Sequence, residues 1–143
     1  MAVVHKSVIL GYSAEQMFAL VDKVEDYPQF LPWCGGVTVR SRAENTLTAT
    51  LMINYHGIRQ SFTTENTNRP PESMAMRLVD GPFRLLDGRW NFKPLRSDAC
   101  KIEFELHYEF ANRLIEGVIG PVFNIIANSF VDSFCKRAEQ VYG

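Results

Sequence analysis

The residues of this chain that could do covalent or acid–base chemistry are few: Cys34, Cys100 and Cys135, His5, His56 and His107, and the acids Glu103, Glu105 and Glu109. Three cysteines are an odd number, and none stands in a CxxC or metal-ligand spacing, so they read as free thiols of a reducing compartment. A histidine that activates a side-chain nucleophile needs a serine or cysteine partner. None is placed by sequence beside His5, His56 or His107, and the nucleophile-elbow pattern G-x-S-x-G is absent. "GVIGP" has neither the spacing nor the lysine of a phosphate-binding loop. The expectation is no catalytic residue, no metal and no required cofactor.

The elements that would carry these residues follow from periodicity. Val3 to Leu10 is rich in β-branched residues and predicts a strand. "SAEQMFALV" predicts a helix capped by Ser13, with Gln16 closing a capping box and Met17, Phe18 and Val21 inward. Pro28 and Pro32 restrict "DYPQFLPW" to short turns. From about Gly36 the period becomes two. Leu47, Ala49, Leu51, Ile53 and Tyr55 share a face, His56-Gly57 turns the chain, and Ile58, Gln60, Phe62 and Thr64 return on that face. Met74, Met76 and Leu78 align on the next strand. A second hairpin around Ser97-Asp98 joins "GRWNFKP" to "CKIEFELHYEF". A three-residue loop there sets Trp90 beside Leu106, Phe92 beside Phe104 and Lys93 beside Glu103. His107, Glu103, Glu105 and Glu109 fall on the wet side of that strand, which argues against paired carboxylate chemistry.

The last thirty or so residues return to the helical period, with Val122, Phe123, Ile126, Phe130, Phe134, Ala138 and Val141 in one stripe. Gly117, Gly120 and Pro121 predict a kink, or a helix that starts at Pro121. The order is one strand, short helices, about six antiparallel strands and a long helix. It predicts a single α+β domain over residues 1–143, with the helix covering one apolar face of the sheet.

The inward side chains are the informative feature. Phe62, Met74, Met76, Trp90, Phe92, Phe104, Leu106 and Tyr108 face Val122, Phe123 and Ile126, with polar Tyr55, Gln60 and Thr64 mixed among them. Such a lining suits an apolar ligand oriented by a few polar groups, and methionine adapts to a flexible guest. "FLPWCGG" (Phe30, Pro32, Trp33) and "VDGPFRLLDG" (Phe83, Leu86) are candidate lips, with Gly35-Gly36 a hinge; Cys34 reads as a packed small residue.

Composition agrees with a binding domain rather than a polyanion reader. The 143 residues are 46% hydrophobic and 22% charged, and the net charge is −1. DNA is not an expected partner. Residues 69–101 carry a local excess of +3. The N-terminus lacks the basic-then-apolar order of a signal peptide, so a cytoplasmic location is expected.

"DYPQFLPWC", "TTENTNRPPESMAMRLVDGPFRLLDGRWNF", "CKIEFELHYEF" and "FVDSFCKRAEQVYG" together resemble the coenzyme-Q-binding START-like family. That family lies within the polyketide cyclase/dehydrase-like superfamily and includes bacterial ribosome association toxins. The resemblance spans essentially the whole chain. It implies a helix-grip (START/Bet v 1-like) fold, a curved antiparallel sheet wrapped around a long C-terminal helix with a hydrophobic tunnel between them. It further implies ubiquinone or a related polyprenyl lipid as ligand, in support of respiratory electron transfer or quinone biosynthesis. Trp33, Tyr55, Phe62, Met74, Met76, Trp90, Phe92, Phe104, Leu106, Val122, Phe123 and Ile126 would then line the tunnel. Phe30, Pro32, Phe83, Leu86 and Pro121 would shape its mouth. The implied partners are the hydrophobic ligand, transiently the inner membrane, and, for a toxin-like member, the large ribosomal subunit. An aromatase/cyclase-type enzyme is the remaining alternative.

Overall fold

The computed structural model describes residues 1–143 as seven strands and three α-helices. β1 (Ala2–Leu10) leads into α1 (Ala14–Asp22), a 3-10 turn (Val24–Asp26) and the single-turn α2 (Tyr27–Phe30). β2 (Cys34–Arg42), β3 (Thr46–Tyr55), β4 (Ile58–Arg69), β5 (Ser73–Asp80), β6 (Phe83–Arg96) and β7 (Ala99–Phe110) follow, and α3 (Arg113–Tyr142) ends the chain. All strands pair antiparallel in the order β1-β7-β6-β5-β4-β3-β2. α3 covers one face of the sheet, which gives the α+β helix-grip arrangement.

Local signals set much of this. The Ser13 hydroxyl accepts from the Gln16 amide at 3.1 Å while the Gln16 side chain accepts from the Ser13 amide at 2.9 Å, so α1 starts at its capping box. The β3–β4 register pairs Tyr55 with Ile58 and Leu51 with Phe62, as the parity of the two strands requires. His56 takes the left-handed conformation, φ 50°, and Gly57 follows at 79° in the two-residue turn.

Two expectations are corrected. The β6–β7 hairpin closes with a two-residue turn, Arg96 opposite Ala99, and an irregularity between Pro94 and Arg96 absorbs one residue. The register therefore sits two residues from the expected one, with Trp90 opposite Phe104 and Phe92 opposite Ile102. Because the slip is even, every side chain keeps its face. Lys93 consequently lies opposite Lys101 rather than Glu103, and Lys101 instead reaches Glu103 on its own strand at 3.4 Å.

The second correction concerns the alternative of a helix that starts at Pro121: α3 begins at Arg113 and runs through Pro121. The Asn112 side chain caps it by accepting from the Ile115 amide at 2.9 Å. Pro121 and Gly117, whose carbonyl lies four residues back, are both on the exposed side. The lost hydrogen bond thus falls where water replaces it. The buried stripe of Ile119, Val122, Phe123, Ile126, Val131 and Phe134 is uninterrupted. An 18-residue window of α3 reaches a mean hydropathy of 1.6, enough by length and composition for a membrane span. Its apolar stripe nevertheless packs on the sheet.

Candidate functional site

Between α3 and the β3–β7 face lies a cavity of about 70 Å³. At ~24 cal/mol per Å³, keeping it empty costs on the order of 2 kcal/mol, so the fold does not depend on an occupant. The wall comes from eight elements, the 3-10 turn, α2, β3 to β7 and α3, and from the loop before β2. β4 supplies Phe62, Thr64 and Asn66, and β7 supplies Phe104 and Leu106. α3 supplies Phe123, Ile126, Ala127 and Phe130, while Val24, Tyr27 and Trp33 close the end nearest the turn region. Ala49, Leu51, Met76 and Leu86 complete it.

Of the expected lining residues, Trp33, Phe62, Met76, Phe104, Leu106, Phe123 and Ile126 meet on this wall. Met74, Trp90, Phe92 and Val122 are buried but do not line it. Tyr55 is half-buried against His56, ring centroids 4.1 Å apart, away from the cavity. Among the expected mouth residues only Leu86 lines the cavity. Phe83 is buried, stacked on Phe110 at 5.3 Å and edge-on to Phe123 at 4.8 Å. Phe30 packs edge-on to Phe134 at 5.2 Å with the Arg137 guanidinium over its ring, and Pro32 is exposed. Pro121 borders a separate open hollow with Glu109, Glu116 and Asn124.

The separation of lining from core has a physical origin. α1 packs under the β6–β7 end of the sheet, where Phe18 meets Phe92 edge-on at 5.5 Å. Trp90, Phe104, Phe130 and Phe134 fill the next layer, with Trp90 4.7 Å from Phe104 and 5.4 Å from Phe134. No helix reaches beneath β3, β4 and β5 in the same way. Gly88 contributes there too: a Cβ on it would stand 2.6 Å from Met76 Cε and 3.2 Å from Leu106 Cδ1, so its hydrogen makes room for both side chains.

Sequence reasoning did not assign Val24, Tyr27, Ala49, Leu51, Asn66, Ala127 or Phe130 to the wall. Asn66 was reachable by extending the Phe62–Thr64 alternation one step. The Tyr27 hydroxyl is not free for chemistry, since it donates to the Val21 carbonyl at 2.5 Å and burial pushes its pKa strongly up. Cys34 is buried, its Sγ donates weakly to the Gly36 carbonyl at 3.6 Å, and desolvation raises the thiol. His5 and His56 are exposed, and His107 meets Glu105 at 3.1 Å on the outer surface.

The wall has 14 hydrophobic members out of 16 and contains no carboxylate, histidine, lysine, arginine or cysteine. Its polarity comes from Thr64 and Asn66, joined at 3.2 Å, while the indole N–H of Trp33 is buried without a partner. Leaving such a donor unpaired costs ~1–3 kcal/mol. The arrangement can hold a neutral, mostly apolar molecule and position it.

A family model described as polyketide cyclase/dehydrase and lipid transport matches residues 10–135. A Vibrio cholerae protein named ribosome association toxin RatA is 45% identical over 140 residues, covering 98% of this chain and 97% of that protein. A Drosophila melanogaster protein named as a mitochondrial coenzyme Q-binding protein is 27% identical over 142 residues, covering 96% of this chain and 59% of that one. Two solved structures share the fold: a START superfamily protein from Mycobacterium smegmatis and the Zhui aromatase/cyclase from Streptomyces. The first has a TM-score of 0.77 at 22% identity, with 97% of this chain and 98% of that chain covered. The second has 0.82 at 15% identity, with 99% and 96% covered.

Proposed function

This chain belongs to the polyketide cyclase/dehydrase and lipid transport family, START-like in fold, and we propose that it is a non-enzymatic binder of ubiquinone or a related polyprenyl lipid. The observation that carries the reading is the cavity wall, apolar almost throughout and without any acid, base or thiol. A guest there gains ~25 cal/mol per Å² of apolar surface removed from water. The protein would shield or deliver the lipid in support of respiratory electron transfer or quinone biosynthesis. It works in the cytoplasm and touches the inner membrane transiently to load. Leu114, Val118 and Ile125, exposed by 79, 55 and 53% along one side of α3, support that contact. A complete polyprenyl chain exceeds the cavity, so binding opens the wall further into a tunnel, at half-buried side chains such as Met76 and Phe130.

Organic extraction of protein purified from a quinone-making host, followed by mass spectrometry, tests the reading. Co-purified polyprenyl lipid is expected. Preparations that repeatedly carry none, together with no binding of added ubiquinone, would contradict it.

A second reading, binding to the large ribosomal subunit, is favoured by the full-length 45% identity to the Vibrio toxin. It does not exclude lipid binding. The basic stretch that would meet RNA is largely offset, however. Arg77 pairs with Glu65 at 2.7 Å, Arg96 with Asp98 at 3.5 Å and Arg84 with Glu109 at 3.7 Å. Co-sedimentation with the large subunit that weakens steeply with salt would support this reading; none at low salt would remove it.

A further inference from the structure

The two half-buried members of the cavity wall, Phe130 and Met76, have different surroundings. Phe130 is held among the rings of Tyr27, Trp33, Trp90, Phe104 and Phe134, at 5.1 to 6.3 Å. Met76 is an adaptable thioether chain on β5, beside the place where the sheet stops pairing. The β5–β6 ladder ends at Arg77 opposite Asp87. Beyond that rung β5 stays with β4 as far as Asp80 opposite Thr63, and β6 stays with β7 as far as Phe83 opposite Phe110. Residues 78–80 and 83–86 therefore do not pair with each other, and a window in the sheet separates them.

The turn that closes the far side of this window is fixed. Gly81 has φ 152°, and a Cβ on it would stand 2.8 Å from Phe62 Cβ, so the turn lies directly on β4. The Pro82 carbonyl accepts from the Ala111 amide at 3.0 Å, which ties the turn to the start of the segment leading into α3. Apolar side chains stand on both sides of the opening. Met76 and Leu86 belong to the cavity wall, and Leu78 is half-buried against the same core. On the outer side, sharing faces with Arg77 and Asp87, stand Val79, 56% exposed, and Leu85, half-buried. An apolar route runs from the cavity through the sheet to the surface. Widening it takes rotamer changes of Met76, Leu78 and Leu86 and breaks no ladder bond.

We infer that this window is the portal through which the part of a lipid chain too long for the cavity leaves the protein. The inference rests on the lipid-binding reading above and adds the route, between β5 and β6 rather than past the rings around Phe130. Val79 and Leu85 cover the chain where it emerges.

The test titrates the full chain and its variants by calorimetry with a decyl-substituted benzoquinone, without lipid vesicles. Val79→Lys with Leu85→Lys puts two charges at the outer mouth of the window. Val118→Lys with Ile125→Lys puts two on the exposed side of α3. A chain emerging beside an ammonium group strips its water, which is costly. The window pair is expected to weaken binding about tenfold, and the α3 pair to leave it within about twofold. Val79→Ser with Leu85→Ser, a milder change, should weaken it about threefold and decides the matter if the lysine pair does not fold. In nitrogen-15 spectra of the unaltered protein, the quinone should shift the amide signals of Val79 and Leu85 and leave those of Val118 and Ile125 in place. Affinity within about twofold in the folded window variants, or equal weakening by the window and α3 pairs, would overturn the portal while leaving lipid binding intact. Failure of both this quinone and ubiquinone to bind the unaltered chain would overturn both.

Discussion

Trp33 and Trp90 are the chain's two tryptophans, and the regions around them differ although their burial is nearly the same, 3% and 0% exposed. Both keep an indole N–H without a partner. Trp90 stands in the middle of the sheet, stacked along Phe92 at 5.8 Å and surrounded by Phe104, Phe130 and Phe134. Trp33 sits on the loop before β2, has Phe130 as its aromatic neighbour at 6.2 Å, and borders the cavity. One sheet and one helix thus enclose a sealed half and an open half. The difference teaches that apolar character does not decide between core and pocket. What decides is whether another element, here α1, arrives to fill the space.

Breaking the sealed half should have the largest effect. Trp90→Ala is expected to destabilise the fold by ~3–5 kcal/mol, because its surroundings are packed on all sides; urea unfolding measures this. Trp33→Ala should cost less stability, since part of its surface already faces a void, but should weaken lipid binding by about tenfold. If the two variants lose stability equally, the division into halves is wrong. Gly88→Ala comes next. The new methyl pushes Met76 Cε into the cavity, so binding should fall severalfold with a stability change of about 1 kcal/mol.

The cysteines should give the smallest binding effects. Cys34→Ser is expected to leave ligand affinity within about twofold; a larger loss would put the cysteine at the centre of the site. Burial raises the thiols of Cys34, Cys100 and Cys135, so the unfolded chain releases protons that the folded chain retains. Their contribution to stability is complete below the free-thiol value of ~8.5 and is lost as pH rises past it toward the folded values. Unfolding midpoints measured from pH 7 to 10 should fall accordingly, and replacing the three thiols with alanine should flatten that fall.

The strands were readable because alternation is local: the faces of β3, β4 and β7 follow from parity alone, and Ser13 with Gln16 announces α1. The Ser97-Asp98 hairpin was readable in place but not in register, since one absorbed residue near Pro94 leaves the alternation unchanged to the eye. The start of α3 was hidden because Pro121 and its flanking glycines signal a break. Only the packed fold reveals that Pro121 and Gly117 sit on the wet side while Gly120 is buried. For the cavity, the inward face was legible but its partition was not. That Phe92 and Met74 are core while Asn66 and Ala127 face the void depends on where α1 and the Tyr27 turn dock, at long range in sequence.

Ala127 offers the most direct test of the claim that this cavity is the ligand site. It is 2% exposed, lies on α3 and faces the void. Ala127→Leu should fill that space with a stability change within ~1–3 kcal/mol. Titrated with the decyl-substituted benzoquinone, the unaltered chain should bind at micromolar concentrations, ~8 kcal/mol, and the folded Ala127→Leu protein should show no measurable binding. Equal affinity in the two would place the ligand elsewhere and contradict the account.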